Sequence, residues 1–379
     1  MQLQHNLTEL GLARLKLFQT FTLPSIEAQT NRNFLWTIRT DPDLVPEVME
    51  PLLATLSNSS IWHRMVLLAD NANPGLFRYH SRHVNRELVL GGNPDLLEHY
   101  LHMAVVPYKY TVETYLDADD AIPRDFVQRI QTEVKTHMVS PNDWVFWCSH
   151  LHYEWHVSYS EPPKKEKKPQ KKSDNNNSTL IQEKDEPVNS TDHIPVARTS
   201  PYGYIRTLTD PRCLTAGMTM AYGINTTRRN LPEILKHHVI ENQTRSCNEN
   251  ATSHDSHCTH QIYRDHPGAL RARTPTSTGM TNVAIANTAS ANTSDPTSKE
   301  ASREPPIEPE QLQLLQWIER DFGIQREAFR ETRQLLVDRL ARIAADNLRG
   351  QCTTGHSCKN STKQLLQQLA SVTNTPIRL

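Results

Sequence analysis

Residues 108–121, YKYTVETYLDADDA, place three carboxylates, Asp117, Asp119 and Asp120, at the end of a half-apolar extended segment. The alternation of tyrosine, valine, threonine and leucine is typical of a strand, and Pro123 prevents its smooth continuation. We therefore expect the acids on a strand-to-helix turn. Because clustered carboxylates repel one another at neutral pH, the turn favours a cation or many hydrogen-bond donors. A divalent ion with open positions for phosphate oxygens is the simplest compensator.

Other acidic motifs match the cluster less well. A carboxylate after a strand can cap the following helix, and that interpretation stays open for one of the three acids. A phosphatase motif of the DxDx(T/V) type would require Thr or Val at Ala121. A calcium loop would require a glycine at its sixth position and a bidentate glutamate at its twelfth, and neither is present.

Acids also end the upstream strands. Residues 18–46 read as a helix, a polar turn and the strand FLWTIRT, which leads to Asp41. A helix near 44–57, the strand HRMVLLAD ending at Asp70 and a helical stretch near 94–104 follow. This alternation predicts an α/β fold, a mostly parallel sheet flanked by helices, with its ligand at the carboxyl ends of the strands.

Several segments resemble a known family, the rhamnosyltransferases related to the inverting glycosyltransferases with the GT-A fold. They are LPSIEAQTNRNFLWTIRTDP (23–42), TYLDADDAIPRDFV (114–127), CLTAGMTMAYG (213–223) and RTPTSTGM (273–280). The resemblance runs discontinuously from about residue 11 to about residue 363. It implies a nucleotide over the first half of the sheet, and DxD acids holding a metal ion, Mn²⁺ or Mg²⁺, that bridges the diphosphate.

The resemblance also implies roles for individual residues. Asp117 would contact the metal or the ribose, Asp119 and Asp120 the metal, and Asp41 the base or ribose of a nucleoside diphosphate sugar. Members of the family begin with a strand and a Thr-Arg-Phe-like turn just before the position of Met1. We therefore expect that the first strand of the sheet is missing from a truncated sequence, and that an upstream part could carry a membrane anchor.

The downstream candidates are basic and acidic residues. Asp265 with His266 is one candidate for the general base, because a carboxylate suits proton abstraction. The pair His237 and His238 is another candidate. A distal histidine, here His238, often completes the metal shell in GT-A enzymes. In the segment LRARTPTSTGM, Arg271 and Arg273 would either reach the diphosphate as fixed cations or pair with surface acids.

The predicted function is metal-assisted transfer of a sugar, rhamnose by the resemblance, from a nucleoside diphosphate sugar to a hydroxyl of a carbohydrate or other acceptor, with inversion. One alternative is a catalytically impaired relative that binds carbohydrate or nucleotide sugar. Another is a sugar nucleotidyltransferase, which would need a Gly-rich turn that the segment GLARLKLF lacks.

Composition predicts one catalytic domain and excludes a nucleic-acid partner. The 379 residues are 37% hydrophobic with a net charge of −1, so no global basic field would recruit nucleic acid. We expect a GT-A-like domain at 1–283 with a disordered, lysine-rich insert at about 160–196, and a polar linker at 284–308. Amphipathic helices in 309–379 would pack on the catalytic domain.

Histidines and cysteines leave alternatives open. If residues 144–157 form one strand, His150, His152, Glu154 and His156 lie on one face. The histidines could bind a metal ion or be ordinary polar groups, and the aromatic residues of the segment could form a wall that contacts an acceptor sugar.

In an oxidising compartment the local cysteine pairs are Cys247 with Cys258 and Cys352 with Cys358, while nearby histidines such as His260 allow zinc instead. Asn-X-Ser/Thr sequons favour the secretory pathway or Golgi lumen, whereas a genuine start at Met1 would favour the cytoplasm.

Overall fold

The computed structural model of the chain describes residues 7–69, 86–103, 110–138, 140–157, 159–160, 197–198, 200–210, 216–223, 225–226, 245–247, 256–274, 307–339, 342–343 and 346. Helices and strands alternate along much of this part of the chain, which confirms the α/β class. The predicted insert at about 160–196 and the predicted linker at 284–308 lie almost entirely outside the described residues.

The first helical unit runs without a break through three segments, α1 (Thr8–Leu17), a π-helical turn (Phe18–Thr22) and α2 (Leu23–Glu27). Its apolar residues recur at three- and four-residue spacing, and those buried at 0–1% exposure are Leu10, Ala13, Leu17 and Phe21. A single π turn inside a helix rotates the residues that follow it, and such turns occur frequently at functional sites.

The next strands form a small sheet. Strand β1 (Trp36–Thr40) pairs in parallel with β2 (Met65–Ala69), and α3 (Pro46–Ser57) connects them. Strand β3 (Val89–Gly92) pairs antiparallel with β2 and leads into α4 (Pro94–Met103). The predicted strands FLWTIRT and HRMVLLAD and both predicted helices are therefore confirmed.

The remaining elements are β4 (Tyr110–Tyr115), β5 (Asp120–Ala121), α5 (Phe126–His137), β6 (Trp144–Cys148), β7 (Leu151–His156), β8 (Tyr159–Ser160), β9 (Ala197–Arg198), β10 (Tyr204–Thr209), β11 (Met218–Gly223), β12 (Arg245–Ser246), β13 (Cys258–Gln261), β14 (Leu270–Arg273), α6 (Pro309–Phe322) and α7 (Arg326–Asp338). One sheet has the order β12-β13-β6-β11-β4, and another has the order β10-β7-β14-β5. Strands β8 and β9 form a separate antiparallel pair.

Two details of the predicted sheet differ in the structure. Parallel and antiparallel pairings are mixed in every sheet of three or more strands, so a mostly parallel sheet is not confirmed. The segment 144–157 is not one strand, because the chain turns between Cys148 and Leu151 and delivers β6 and β7 to different sheets. The Ser149 hydroxyl donates to the Leu151 carbonyl at 2.8 Å and stabilises this turn.

Helices α6 and α7 cover one face of the sheet that contains β7. Leu315, Ile318, Phe322 and Phe329 are buried in one apolar cluster with Trp155 of β7. Helix α1 contributes to the same cluster. Gly323 ends α6 at φ 73°, in the left-handed conformation that glycine adopts at low cost. The sheet therefore has a covered apolar face, and its opposite face is left for polar side chains.

Strands β1 and β4 each lie at an edge of their sheet. Among the described strands, β1 pairs only with β2, and β4 pairs only with β11. Arg39 of β1 and Glu113 of β4 interact across these edges: burial raises the Glu113 pKa to about 7, and the Tyr222 hydroxyl and the Arg39 charge only partly oppose the increase. The expected strand upstream of Met1 stays a prediction.

Candidate functional site

Asp117 and Asp119 lie on the tight turn between β4 and β5, and Asp120 is the first residue of β5. The Asp120 amide donates to the Asp117 carbonyl at 3.2 Å, which closes the turn. Asp120 is 3% exposed, and its Oδ2 atom has no hydrogen-bond partner within the described part of the chain. A buried carboxylate oxygen without a donor is costly, so this atom is available to a ligand.

The first helical unit fixes the backbone of this turn. The hydroxyl of Thr22, the last residue of the π turn, donates to the Asp120 carbonyl at 2.8 Å. Gln29 donates to the Pro123 carbonyl at 2.8 Å and accepts from the Val127 amide at 3.1 Å. These buried hydrogen bonds give the QTNRN segment a physical role, because it holds the acidic turn against α5.

Burial and mutual repulsion raise the pKa values of Asp119 and Asp120. Burial and then the Asp117 charge raise the Asp119 pKa to about 6, although Arg14 and Arg271 oppose the increase. Burial, followed by the charges of Asp119 and Asp117, also places the Asp120 pKa well above its ordinary value. The Nε atom of Arg271 lies 3.8 Å from the Oδ2 atom of Asp120. A divalent cation would relieve this repulsion, so the residues present fit a metal ion.

Arg14 is a member of the site that the sequence did not reveal. It lies on α1 among leucines and alanine, where helical spacing alone predicts a surface arginine. Burial lowers the Arg14 pKa, and the nearby charge of Asp119 only partly restores it. The site therefore receives a partly buried cation from the first helix as well as cations from β14.

A second charged cluster lies on the polar face of β7. Glu154 is 3% exposed and accepts from Arg206 Nη2 at 2.6 Å and from Arg273 Nε at 2.7 Å. His152 Nε2 and His156 Nε2 lie 3.6 Å and 3.3 Å from its oxygens. We call these five residues the Glu154 cluster.

The Glu154 cluster does not favour a metal ion. Burial acts to raise the Glu154 pKa, but the two nearby histidines and the hydrogen bonds from the two arginines outweigh burial, and its pKa is lowered. Both carboxylate oxygens are already held by guanidinium groups. A further cation at the same oxygens would face two positive charges. The predicted face of β7 is correct for His152, Glu154 and His156, whereas His150 lies outside the strand and contacts Gln261.

The other predicted site residues fall into three places. Asp41 directly follows β1, is 1% exposed and accepts from the Asp43 amide at 3.0 Å. Asp265 and His266 are exposed on the loop between β13 and β14, where the His266 ring packs edge-on against Tyr263 with 4.9 Å between ring centroids. His237 and His238 lie outside the described residues.

The predicted pairing of Cys247 with Cys258 is confirmed as a disulfide between β13 and the end of β12. The Cys247 and Cys258 sulfurs and a His260 ring nitrogen lie within 4.8 Å of one another, the spacing that a zinc alternative would need. Because both sulfurs are in the disulfide, neither is a thiolate that could bind zinc. Cys352 and Cys358 lie outside the described residues.

No helix in the described part of the chain is both long and apolar enough to cross a membrane.

Comparison with known proteins gives one family match. Residues 12–85 match the family described as "Putative rhamnosyl transferase", a segment that contains α2, β1, α3, β2 and most of α1. No curated protein and no solved structure matches the chain significantly. The matched segment ends before the acidic turn but includes Arg14, Thr22 and Gln29, which contact it or lie beside it. This match supports a rhamnosyltransferase-like family for the chain and, at that coarse level, a glycosyltransferase.

Proposed function

We propose that the chain is a GT-A-like, metal-assisted glycosyltransferase that transfers a sugar, rhamnose by its family match, from a nucleoside diphosphate sugar to a hydroxyl acceptor with inversion. One observation carries the proposal. Asp117, Asp119 and Asp120 lie together at one turn, the pKa values of Asp119 and Asp120 are raised, Arg14 and Arg271 lie beside these acids, and a rhamnosyltransferase-like segment holds the turn in place.

The acids would hold the metal ion, and the arginines would contact the negatively charged diphosphate of the donor. When bound, Mn²⁺ or Mg²⁺ would neutralise charge that develops on the departing diphosphate. Asp117, Asp119 and Asp120 would hold that ion, with His238 as the further ligand. Arg271, which lies 3.8 Å from Asp120, would place a guanidinium beside the diphosphate oxygens. Arg273 is the next cation along the same strand face.

Two further roles complete the proposal. Asp41, buried directly after β1, would accept a hydrogen bond from the base or ribose of the nucleotide. Asp265 or His266, both exposed, would take the proton of the acceptor hydroxyl as its oxygen attacks the anomeric carbon.

We also propose that the protein functions in the secretory pathway or Golgi lumen. The support is chemical: a disulfide joins Cys247 to Cys258, and Asn-X-Ser/Thr sequons occur along the chain.

Nucleotide binding tests the function directly. Titration of the protein with a panel of nucleoside diphosphates, in Mn²⁺ and in EDTA, should identify one that binds only with the metal. Asp120→Asn should abolish the metal-dependent part and leave the circular dichroism spectrum unchanged. The matched control is Asp338→Asn, because Asp338 is exposed on α7 and contacts Gln334 of the same helix.

Turnover then separates an enzyme from a binding protein. Hydrolysis of the corresponding nucleoside diphosphate sugar in Mn²⁺ is the expected result, since glycosyltransferases of this type transfer slowly to water. Metal-dependent binding without hydrolysis or transfer would favour a catalytically impaired relative. Equal affinity for every nucleoside diphosphate in EDTA and in Mn²⁺ would contradict the proposal itself.

A further inference from the structure

The disulfide between Cys247 and Cys258 lies beside two histidines. Cys258 and His260 are alternate residues of β13, so their side chains project from the same face of the strand. Both sulfurs and a ring nitrogen of His260 lie within 4.8 Å of one another. The ring centroid of His137, the last residue of α5, is 4.1 Å from that of His260. Two cysteines and two histidines, the ligand set of many structural zinc sites, therefore form one cluster.

Backbone pairing holds the two cysteines together independently of the sulfur–sulfur bond. Strands β12 and β13 pair in parallel, and the Cys247 amide donates to the Thr259 carbonyl at 3.0 Å. The Cα atoms of the two cysteines are 5.0 Å apart. Two thiolates on a tetrahedral zinc ion lie roughly 3.8 Å apart, because each Zn–S bond is about 2.3 Å long. Rotation of the reduced side chains reaches this separation with the strands in place.

The surroundings of the cluster suit a zinc ion. Cys247 and Cys258 are 7% and 0% exposed in an apolar core, and two thiolates, two neutral histidines and one Zn²⁺ carry no net charge into it. The Glu133 carboxylate lies 3.2 Å from Nε2 of His137, whose side chain is 31% exposed. A metal-binding histidine generally donates its other ring nitrogen to such a carboxylate. His137 would therefore bind an ion through Nδ1 and admit it from solvent at the end of α5.

We propose that Cys247, Cys258, His260 and His137 bind a zinc ion when the disulfide is reduced. In the reduction, a dithiol transfers two electrons and two protons to the disulfide, is itself oxidised to a disulfide, and leaves two cysteine thiols. Zn²⁺ then displaces the two thiol protons to water, and no further electron moves.

The disulfide and the zinc ion are alternative cross-links, because a sulfur in a disulfide is not a thiolate. Oxidising conditions would hold β12 on β13 through the sulfur–sulfur bond, and reducing conditions would hold it through zinc. Every newly synthesised chain passes through the reduced state, so the ion would fix this end of the sheet before the disulfide forms. The inference is independent of the proposed function, and its test needs neither donor nor acceptor.

Cobalt(II) is the probe, because thiolate ligands give a charge-transfer absorption that carboxylates at the acidic turn do not. All proteins carry Cys352→Ser and Cys358→Ser, which removes the other local cysteine pair. Each is reduced with a phosphine, freed of it without oxygen, and titrated with Co²⁺ beside its oxidised form. The reduced protein should show the thiolate band, and the oxidised protein should not. Zn²⁺ should then remove the band, because zinc favours a tetrahedral thiolate site.

Variants assign the band to these residues. Cys258→Ser should remove it from the reduced protein. Glu133→Gln should weaken Co²⁺ binding roughly tenfold, as loss of such a partner generally does, and His260→Gln and His137→Gln should weaken it further. The matched control is His63→Gln, at an exposed histidine between α3 and β2, which should leave the band and the affinity unchanged.

Thermal unfolding provides a second measurement that does not depend on cobalt. Zn²⁺ should raise the Tm of the reduced protein by more than that of the oxidised protein, which accounts for zinc bound at the acidic turn. The extra gain should disappear in Cys258→Ser.

Several results would overturn the inference. They are absence of the thiolate band in the reduced protein, an unchanged band in Cys258→Ser, unchanged Co²⁺ affinity in either histidine variant, or equal zinc-dependent gains in Tm in the reduced and oxidised proteins. A reduced protein that stays unfolded after Zn²⁺ is added would contradict it as well.

Discussion

Replacing Asp119 by asparagine should stabilise the metal-free protein at neutral pH while it abolishes metal binding. Burial and the Asp117 charge raise the Asp119 pKa from 3.8 to about 6. That difference corresponds to roughly 3 kcal/mol of unfavourable free energy in the ionised folded state. Asparagine has a similar shape and no charge, so Asp119→Asn should recover much of this free energy. In a domain of this size the gain corresponds to roughly 5 to 10 °C in Tm.

The sign of the pH dependence follows from the direction of the pKa shift. A carboxyl whose folded-state pKa is raised binds its proton more tightly in the folded chain, so its contribution to stability is complete below pH 3.8 and is lost as pH rises through about 6. The unmodified protein should lose this contribution between those pH values, and Asp119→Asn should not. The two proteins should therefore have similar Tm values near pH 4 and differ most at pH 8.

Scanning calorimetry at pH 4, 6 and 8, with EDTA and with Mn²⁺, measures both effects. Mn²⁺ should raise the Tm of the unmodified protein and leave that of Asp119→Asn unchanged, because ligands stabilise only the state they bind. Asp338→Asn serves as the control at an exposed site. An Asp119→Asn protein that is less stable than the unmodified chain at pH 8 in EDTA would refute the repulsion argument.

Two further perturbations probe how the turn and the distant sheet are held. Thr22→Val removes the donor to the buried Asp120 carbonyl, so it should lower the free energy of unfolding by about 1–3 kcal/mol and weaken Mn²⁺ binding. The control Thr136→Val, on the exposed face of α5, should do neither. Equal stability of the two variants would argue against a role for Thr22. Cys258→Ser removes the disulfide to Cys247 and should lower the free energy of unfolding by about 2–4 kcal/mol. Denaturant titrations without reductant measure this difference. An unchanged transition midpoint would show that the bond contributes little.

The sequence predicted local elements better than it predicted their partners. The helix before β1, the strands β1, β2 and β4 and the acidic turn follow from periodicity and from proline. The break between β6 and β7 did not, because Ser149 and His150 carry no strong turn signal and the aromatic run continues across them. The break is set by tertiary packing, because β6 and β7 are buried in two different sheets.

The residues around the acids show the same limit. Arg14 is distant from Asp119 in sequence, and only the path of the first helix brings the two charges together. Arg206 was not predicted at all, because nothing in YIRTLT distinguishes an arginine that pairs with a buried glutamate from one in solvent. The alternation of β7 did predict that His152, Glu154 and His156 share a face, which is the part of the cluster that lies within one strand.

Strand β7 joins the hydrophobic core and the charged surface within six residues, Leu151–His156. Tyr153 and Trp155 pack among apolar side chains, and Glu154 lies between them in sequence on the other face. Insertion or deletion of one residue before Tyr153 would send the carboxylate into the aromatic core and the indole onto the polar surface. Length variation in this strand should therefore be far less tolerated during evolution than amino-acid exchange, and the length of β7 is a sharper marker of relatives that keep this surface than any single residue in it.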